Sequence, residues 1–268
     1  MDNRPVGIFD SGLGGLTAAA EFKKLMPRES IVYFGDTGRM PYGVRPVSEI
    51  KIIAQQNLDF VQSRGVKAVI AACGTISSTA DDVLNACALP VCGVLKPGVK
   101  ALCGGQYKTV GVIATATSIN SGAYQREINA LRPDMGVIAA GCPKFVPLIE
   151  QGRYSPEDEE VMAAIEEHLA PMKARGVQAV LLGCTHYGLI GAAHRKFFGP
   201  EVDFISASQT AAAEMAAYIQ ENALAAQNPG EDSYYTSGSA REFELLGKLF
   251  LGTDISGRVN FVPPAPVR

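Results

Sequence analysis

Two cysteines occupy matching places in a duplicated segment: Arg64–Cys73 reads RGVKAVIAAC and Arg175–Cys184 reads RGVQAVLLGC. In each copy a helix end with glycine leads into an aliphatic strand, and the strand runs out into the cysteine. The residues that follow, GTISS after Cys73 and THY after Cys184, bring hydroxyls to what reads as a strand-to-helix turn. A helix N-terminus there lowers a thiol pKa and favours the thiolate. Its free N–H groups, with the Thr75 and Thr185 hydroxyls, form a cradle for a carboxylate. A substrate α-carboxylate bound between the two turns holds its α-carbon between two sulfurs. Racemisation needs that arrangement, a base on one face of the carbon and an acid on the other. Thiols of ordinary pKa about 8.5 need only modest lowering to exchange those roles near neutrality. Hydrolysis or thiol redox chemistry would rest on one cysteine paired with a base, so the duplication favours symmetric proton transfer.

Other segments carry weaker signals. FDSGLGG at Phe9–Gly15 is a glycine-rich turn between a strand and a helix, without G-x-G-x-x-G or a Walker lysine. Its glycines allow close backbone approach and turn Asp10 and Ser11 into the cleft. Asp10 then receives a substrate ammonium or assists the Cys73 thiol, unless it caps the following helix. In FGDTGRMPYG at Phe34–Gly43, Tyr42 and the Gly43 N–H are placed to hold a second carboxylate, although P-Y-G is also an ordinary turn. Cys184-x-His186 supplies too few ligands for zinc, and His186 fits better as the residue that tunes Cys184. His168 and His194 read as solvated surface. Cys87, Cys92, Cys103 and Cys142 read as small buried hydrophobes. The acidic run Glu157–Glu160 suits the first turn of a helix.

These groups need a scaffold, and the pattern around them supplies one. The chain has 268 residues, 47% of them hydrophobic, which fits an α/β protein with buried aliphatic strands. Its net charge of -3 and lack of basic runs give no hint of nucleic-acid binding, and no nucleic-acid partner is expected. The absence of any apolar run of transmembrane length or signal peptide points away from a membrane. The six cysteines form neither a disulfide framework nor a C-x-x-C pattern. Strands are expected at Val6–Phe9, Ile31–Gly35, Ala68–Ala72, Val91–Val94, Val110–Ala114, Gly136–Ala140, Ala179–Gly183 and Asp203–Ile205. Helices are expected at Ser48–Ser63, Ser121–Leu131, Pro156–Arg175 and Ser208–Asn222. Such alternation predicts doubly wound, mostly parallel sheets with ligands beyond the carboxyl ends of the strands. VGIFDS at Val6–Ser11 is echoed by VGVIAT at Val110–Thr115, at nearly the same offset as the cysteine repeat. The expected architecture is therefore two α/β domains related by pseudo-two-fold symmetry, with the active site between them. The first takes residues 1–97 plus a returning segment, 208–268, and the second takes residues 98–207. LKPGVK near Val94–Lys100 reads as the crossover between halves. Ala225–Ser233 reads as disordered, Ser233–Leu251 as a strand plus helix, and the proline-rich end as non-helical.

DSGLGG, FGDTGRMPYG, ACGT, GCTHY, FVPLIEQG at Phe145–Gly152 and YTSG at Tyr235–Gly238 together resemble the bacterial glutamate racemase family, in its order and over nearly the whole chain. Aspartate racemases are similar but usually lack the His after the second Cys-Thr. The resemblance implies interconversion of L- and D-glutamate for peptidoglycan, in the cytoplasm, with neither cofactor nor metal, by a homodimer. It implies Cys73 and Cys184 as the paired acid/base residues and Asp10 and His186 as their assistants. The substrate site implied is Asp10, Ser11, Tyr42, Gly43, Gly74, Thr75, Thr185 and His186, with Glu150 as a supporting carboxylate. Two residues depart from the pattern. Gly74 stands where the family has Asn, a loss expected to weaken substrate binding or alter substrate choice. Gly188 replaces Pro after HY. A related amino-acid racemase, or a weakened paralogue retained for binding, is the alternative that Gly74 keeps open.

Overall fold

The computed structural model describes residues 1–228 and 230–267. Ten strands appear in the order β1 Val6–Asp10, β2 Ile31–Gly35, β3 Ala68–Ala71, β4 Val91–Gly93, β5 Thr109–Ala114, β6 Gly136–Gly141, β7 Ala179–Leu182, β8 Asp203–Ser206, β9 Ser233–Thr236 and β10 Val259–Phe261. Every pairing between them is parallel. One sheet runs β10-β9-β2-β1-β3-β4 and the other β6-β5-β7-β8. Because helices cover both faces, β1, β2, β3 and β7 are buried along their whole length. Their continuous aliphatic runs are the trace of that double burial, and each fully buried Val or Ile contributes about 1.5–3 kcal/mol.

The duplication read from the cysteine segments is also a duplication of topology. The order β2-β1-β3-β4 repeats as β6-β5-β7-β8. The register repeats too: Val6 pairs with Ala68 and Gly7 with Val69, as Val110 pairs with Ala179 and Gly111 with Val180. β9 and β10 extend the first sheet alone, so among the described residues the returning tail has no counterpart in the second.

Several expectations need correction. LKPGVK, expected as the crossover between halves, runs between β4 and β5 as the start of helix Leu95–Gly104, where Pro97 falls in the first turn and its missing N–H costs no bond. That helix packs against helix Ala207–Glu221, which also packs on helix Leu16–Leu25. Ala225–Ser233, expected to be disordered, is tied down where it is described; residue 229 lies outside the described residues. The Ala226 N–H donates to Glu29 Oε1 at 2.8 Å, and Gln227 and Asn228 N–H groups donate to Asn3 Oδ1. His194 is fully buried rather than solvated, stacked on Phe204 at 5.7 Å and beside Phe145. Among the described residues no helix is long and apolar enough to cross a membrane.

Candidate active site

β1 and β3 are neighbours, and their carboxyl ends deliver Asp10 and Cys73 to one wall of a cavity of about 660 Å³; β7 delivers Cys184 to it from the other sheet. All eleven residues singled out in the sequence line this cavity.

Cys73 caps the six-residue helix Gly74–Thr79 and is almost wholly enclosed. Burial pushes its thiol up to about 12, and the Asp10 carboxylate adds to the rise. Hydrogen bonds from Ile76 and Ser11 oppose the rise without cancelling it. The helix N-terminus therefore does not overcome desolvation here, and Cys73 rests as a thiol, contrary to the lowered pKa expected from its place at a helix start. Asp10 both lines the cavity and holds its own loop: its Oδ2 accepts the Gly15 N–H at 2.8 Å and the Gly12 N–H at 3.4 Å. That loop presses on the second half at Gly14, where a Cβ would run into the Thr185 hydroxyl and the His186 ring.

Around Cys184 the polar groups form a relay. Its sulfur lies 3.8 Å from His186 Nδ1, and His186 Nε2 lies 3.1 Å from Glu150 Oε1. Burial alone would lower the His186 pKa, but the bonds to Cys184 and Glu150 outweigh it and raise it to about 10. His186 is thus an imidazolium at neutral pH. Its ring meets the edge of Phe250, from the helix Ala240–Leu251 that closes the first half.

The remaining candidates divide. Thr75 Oγ1 lies 3.1 Å from Thr115 Oγ1, across the seam between the halves. Gly43 lines the cavity, with its carbonyl accepting the Thr117 hydroxyl. The Tyr42 hydroxyl, expected to hold a carboxylate, is already engaged: it donates to Asp36 and accepts from Asn57 Nδ2 at 3.1 Å. Asp36 is fully buried and also accepts from Arg39 Nε at 2.7 Å and the Ser237 hydroxyl at 2.5 Å, so the Tyr42 side chain contributes a wall and its hydroxyl is not free. Among the lining residues that escaped the sequence reading, Thr115 and Cys142 bear on the chemistry. Thr115 is the topological counterpart of Ser11, so the VGVIAT echo carried a signal for it. Cys142, read only as a small hydrophobe, follows the carboxyl end of β6; burial and the nearby Cys184 push its thiol up to about 12.

The two halves are alike in backbone and unlike in chemistry. Asp10 beside Cys73 has Ala114 as its counterpart, and His186 beside Cys184 has Thr75. Among the described residues no three His, Cys, Asp or Glu side chains gather as metal ligands.

Residues 15–216 match the Asp/Glu/Hydantoin racemase family. The chain belongs to this family. Within it, the chain is 33% identical to a glutamate racemase of Streptococcus gordonii over 261 residues, 96% of this chain and 98% of that one. Among solved structures of the family, a Francisella tularensis glutamate racemase in complex with D-glutamate is 37% identical, with TM-score 0.90 and 98% of both chains covered. A glutamate racemase isoform of Bacillus anthracis is 32% identical, with TM-score 0.91 over 98% of both chains. An aspartate racemase of Picrophilus torridus, 16% identical with TM-score 0.56, shares the fold. The chain is a member of a family of amino-acid racemases, and its two parallel α/β sheets are the fold of its relatives.

Proposed function

We propose that the chain is a cofactor-independent glutamate racemase that works by proton transfer between two thiols. The observation that carries this reading is the placement of Cys73 and Cys184 at the ends of topologically equivalent strands, both lining one cavity. One sulfur removes the α-proton and the electron pair stays on the α-carbon. The opposite thiol gives its proton to the other face, and the reverse reaction exchanges the roles. Cys73, kept protonated by burial and Asp10, is the acid when Cys184 is the base. The His186 imidazolium, steadied by Glu150, stabilises negative charge at Cys184.

Ser11, Thr75, Thr185 and the Gly43 N–H are the polar contacts offered to the two carboxylates of the substrate, and Asp10 the contact for its ammonium. Glutamate is the substrate named for relatives at full coverage. Aspartate is the second candidate, because Gly74 offers no amide to the amino-acid end. The family resemblance further implies D-glutamate for peptidoglycan and a cytoplasmic homodimer, which light scattering tests.

The function is tested by incubating the protein with L-glutamate in D₂O, following ellipticity and α-deuteration together. Decay of ellipticity with matching deuterium uptake is expected, falling by at least about 100-fold in Cys73→Ser and in Cys184→Ser. Exchange on aspartate but not on glutamate would reassign the substrate, and no exchange on either would reject the reading.

A further inference from the structure

Gly74 directly follows Cys73, and its backbone is pressed against the turn that carries the other cysteine. A Cβ built on it would land on the Gly183 carbonyl oxygen, far inside van der Waals contact, and 3.8 Å from the Cys184 Cα. The obstacle is backbone rather than the end of a flexible side chain. Nor is that carbonyl free to swing away, because it accepts the buried Tyr124 hydroxyl at 3.0 Å. On its other side the Gly183 N–H donates to the Ile113 carbonyl at 2.7 Å. A bond to the strand and a bond to a tyrosine thus hold Gly183, the residue that Gly74 approaches, on both sides of its Cα.

We infer that Gly74 is a positioning residue: its missing side chain lets the Cys73 turn of one half close on the Cys184 turn of the other and so sets the gap between the two sulfurs. The inference rests on the two-thiol reading. An Asn at this place meets the Gly183 oxygen with its Cβ before its amide reaches any substrate. In this chain, therefore, restoring the family residue opens the gap instead of adding a contact. Proton transfer across the substrate depends steeply on that gap, since a misplacement of about 1 Å costs on the order of 100-fold in rate.

The test uses full-length wild type, Gly74→Ala, Gly74→Asn, Tyr124→Phe and the double variant Gly74→Ala/Tyr124→Phe, each followed through kcat, KM and thermal unfolding. Gly74→Ala and Gly74→Asn are expected to lower kcat by about 10- to 100-fold at nearly unchanged KM. Tyr124→Phe, which frees the Gly183 carbonyl to move, is expected to restore part of the kcat lost by Gly74→Ala. A wild-type kcat in either Gly74 variant overturns the inference, as does a lower KM with faster turnover in Gly74→Asn. Should Gly74→Ala fail to fold, the double variant decides: a reduced kcat at nearly unchanged KM supports the positioning role, and a wild-type kcat overturns it. A wild type that exchanges no amino-acid α-proton rejects the racemase reading itself, whereas an active wild type with indifferent variants rejects only the role of Gly74.

Discussion

At the scale of single residues, the chemistry turns on how burial and charge divide two otherwise similar cysteines. His186 stays protonated to about pH 10 because Cys184 and Glu150 outweigh its desolvation. Its folded pKa is raised above the ordinary 6.5, so the stability it contributes is complete below that value and is lost as pH rises through about 10. Activity that needs the imidazolium falls over the same alkaline range. Glu150→Gln removes one of the groups that keep His186 charged, so the alkaline limb of kcat/KM should move to lower pH; an unmoved limb would show that Glu150 does not act through His186. The two cysteines were legible because they end strands in a repeated pattern, Asp10 because it opens a glycine-rich strand-to-helix turn, and His186 because it stands two residues beyond Cys184. Glu150 was not legible from spacing. It lies 36 residues from its partner, in a short helix whose internal proline hides its periodicity, and only the family resemblance pointed to it. Tyr42 was half legible: its place on the wall followed from the loop, but the claim of Asp36 on its hydroxyl is a tertiary contact that no local pattern announces.

At the scale of elements, continuous aliphatic runs located eight of the ten strands among the described residues to within about two residues; for β1, β2, β3 and β7, burial on both faces leaves no polar alternation to misread. β10 and the helices of three to six residues were missed, since so few residues hold too little periodicity to register, and the longer Leu95–Gly104 and Gly191–Phe198 were missed as well. Helix Gly191–Phe198 shows the cost of reading histidine as surface. His194 is fully enclosed and, among the described residues, neither ring nitrogen has a protein partner, and burial lowers its pKa to about 4. The folded protein therefore binds this proton less well than the unfolded chain. The stability at stake is present above the ordinary value of 6.5 and drains away as pH falls toward about 4. His194→Leu, similar in volume and without polar atoms, should move the acid-unfolding midpoint to lower pH and stabilise the neutral protein by about 1 kcal/mol. Acid titration followed by circular dichroism checks this, and an unchanged midpoint would mean that His194 finds a partner in solution.

At the scale of the whole molecule, distant parts of the chain meet at one buried ion pair beneath the first sheet. Lys67 and Glu29 are both essentially inaccessible, 2.6 Å apart. Lys67 also donates to the carbonyls of Asp2 and Leu224, while Glu29 accepts the Ala226 N–H. Lys67→Met should destabilise by about 3–5 kcal/mol, since it strands a buried carboxylate, and adding Glu29→Gln should recover part of that loss in urea unfolding. Neither partner was legible in the sequence, as no local pattern marks a lysine that will be buried. The repeated halves were legible, and their unlike auxiliary groups have a consequence for the reaction in both directions. Mirror-image amino acids have equal free energy in water, so the ratio of kcat to KM must be the same for both enantiomers whatever surrounds the two sulfurs. An Asp where the other half has Ala114, and a His where it has Thr75, cannot bias the final mixture. They can only make one enantiomer bind more tightly and, in the same proportion, turn over more slowly.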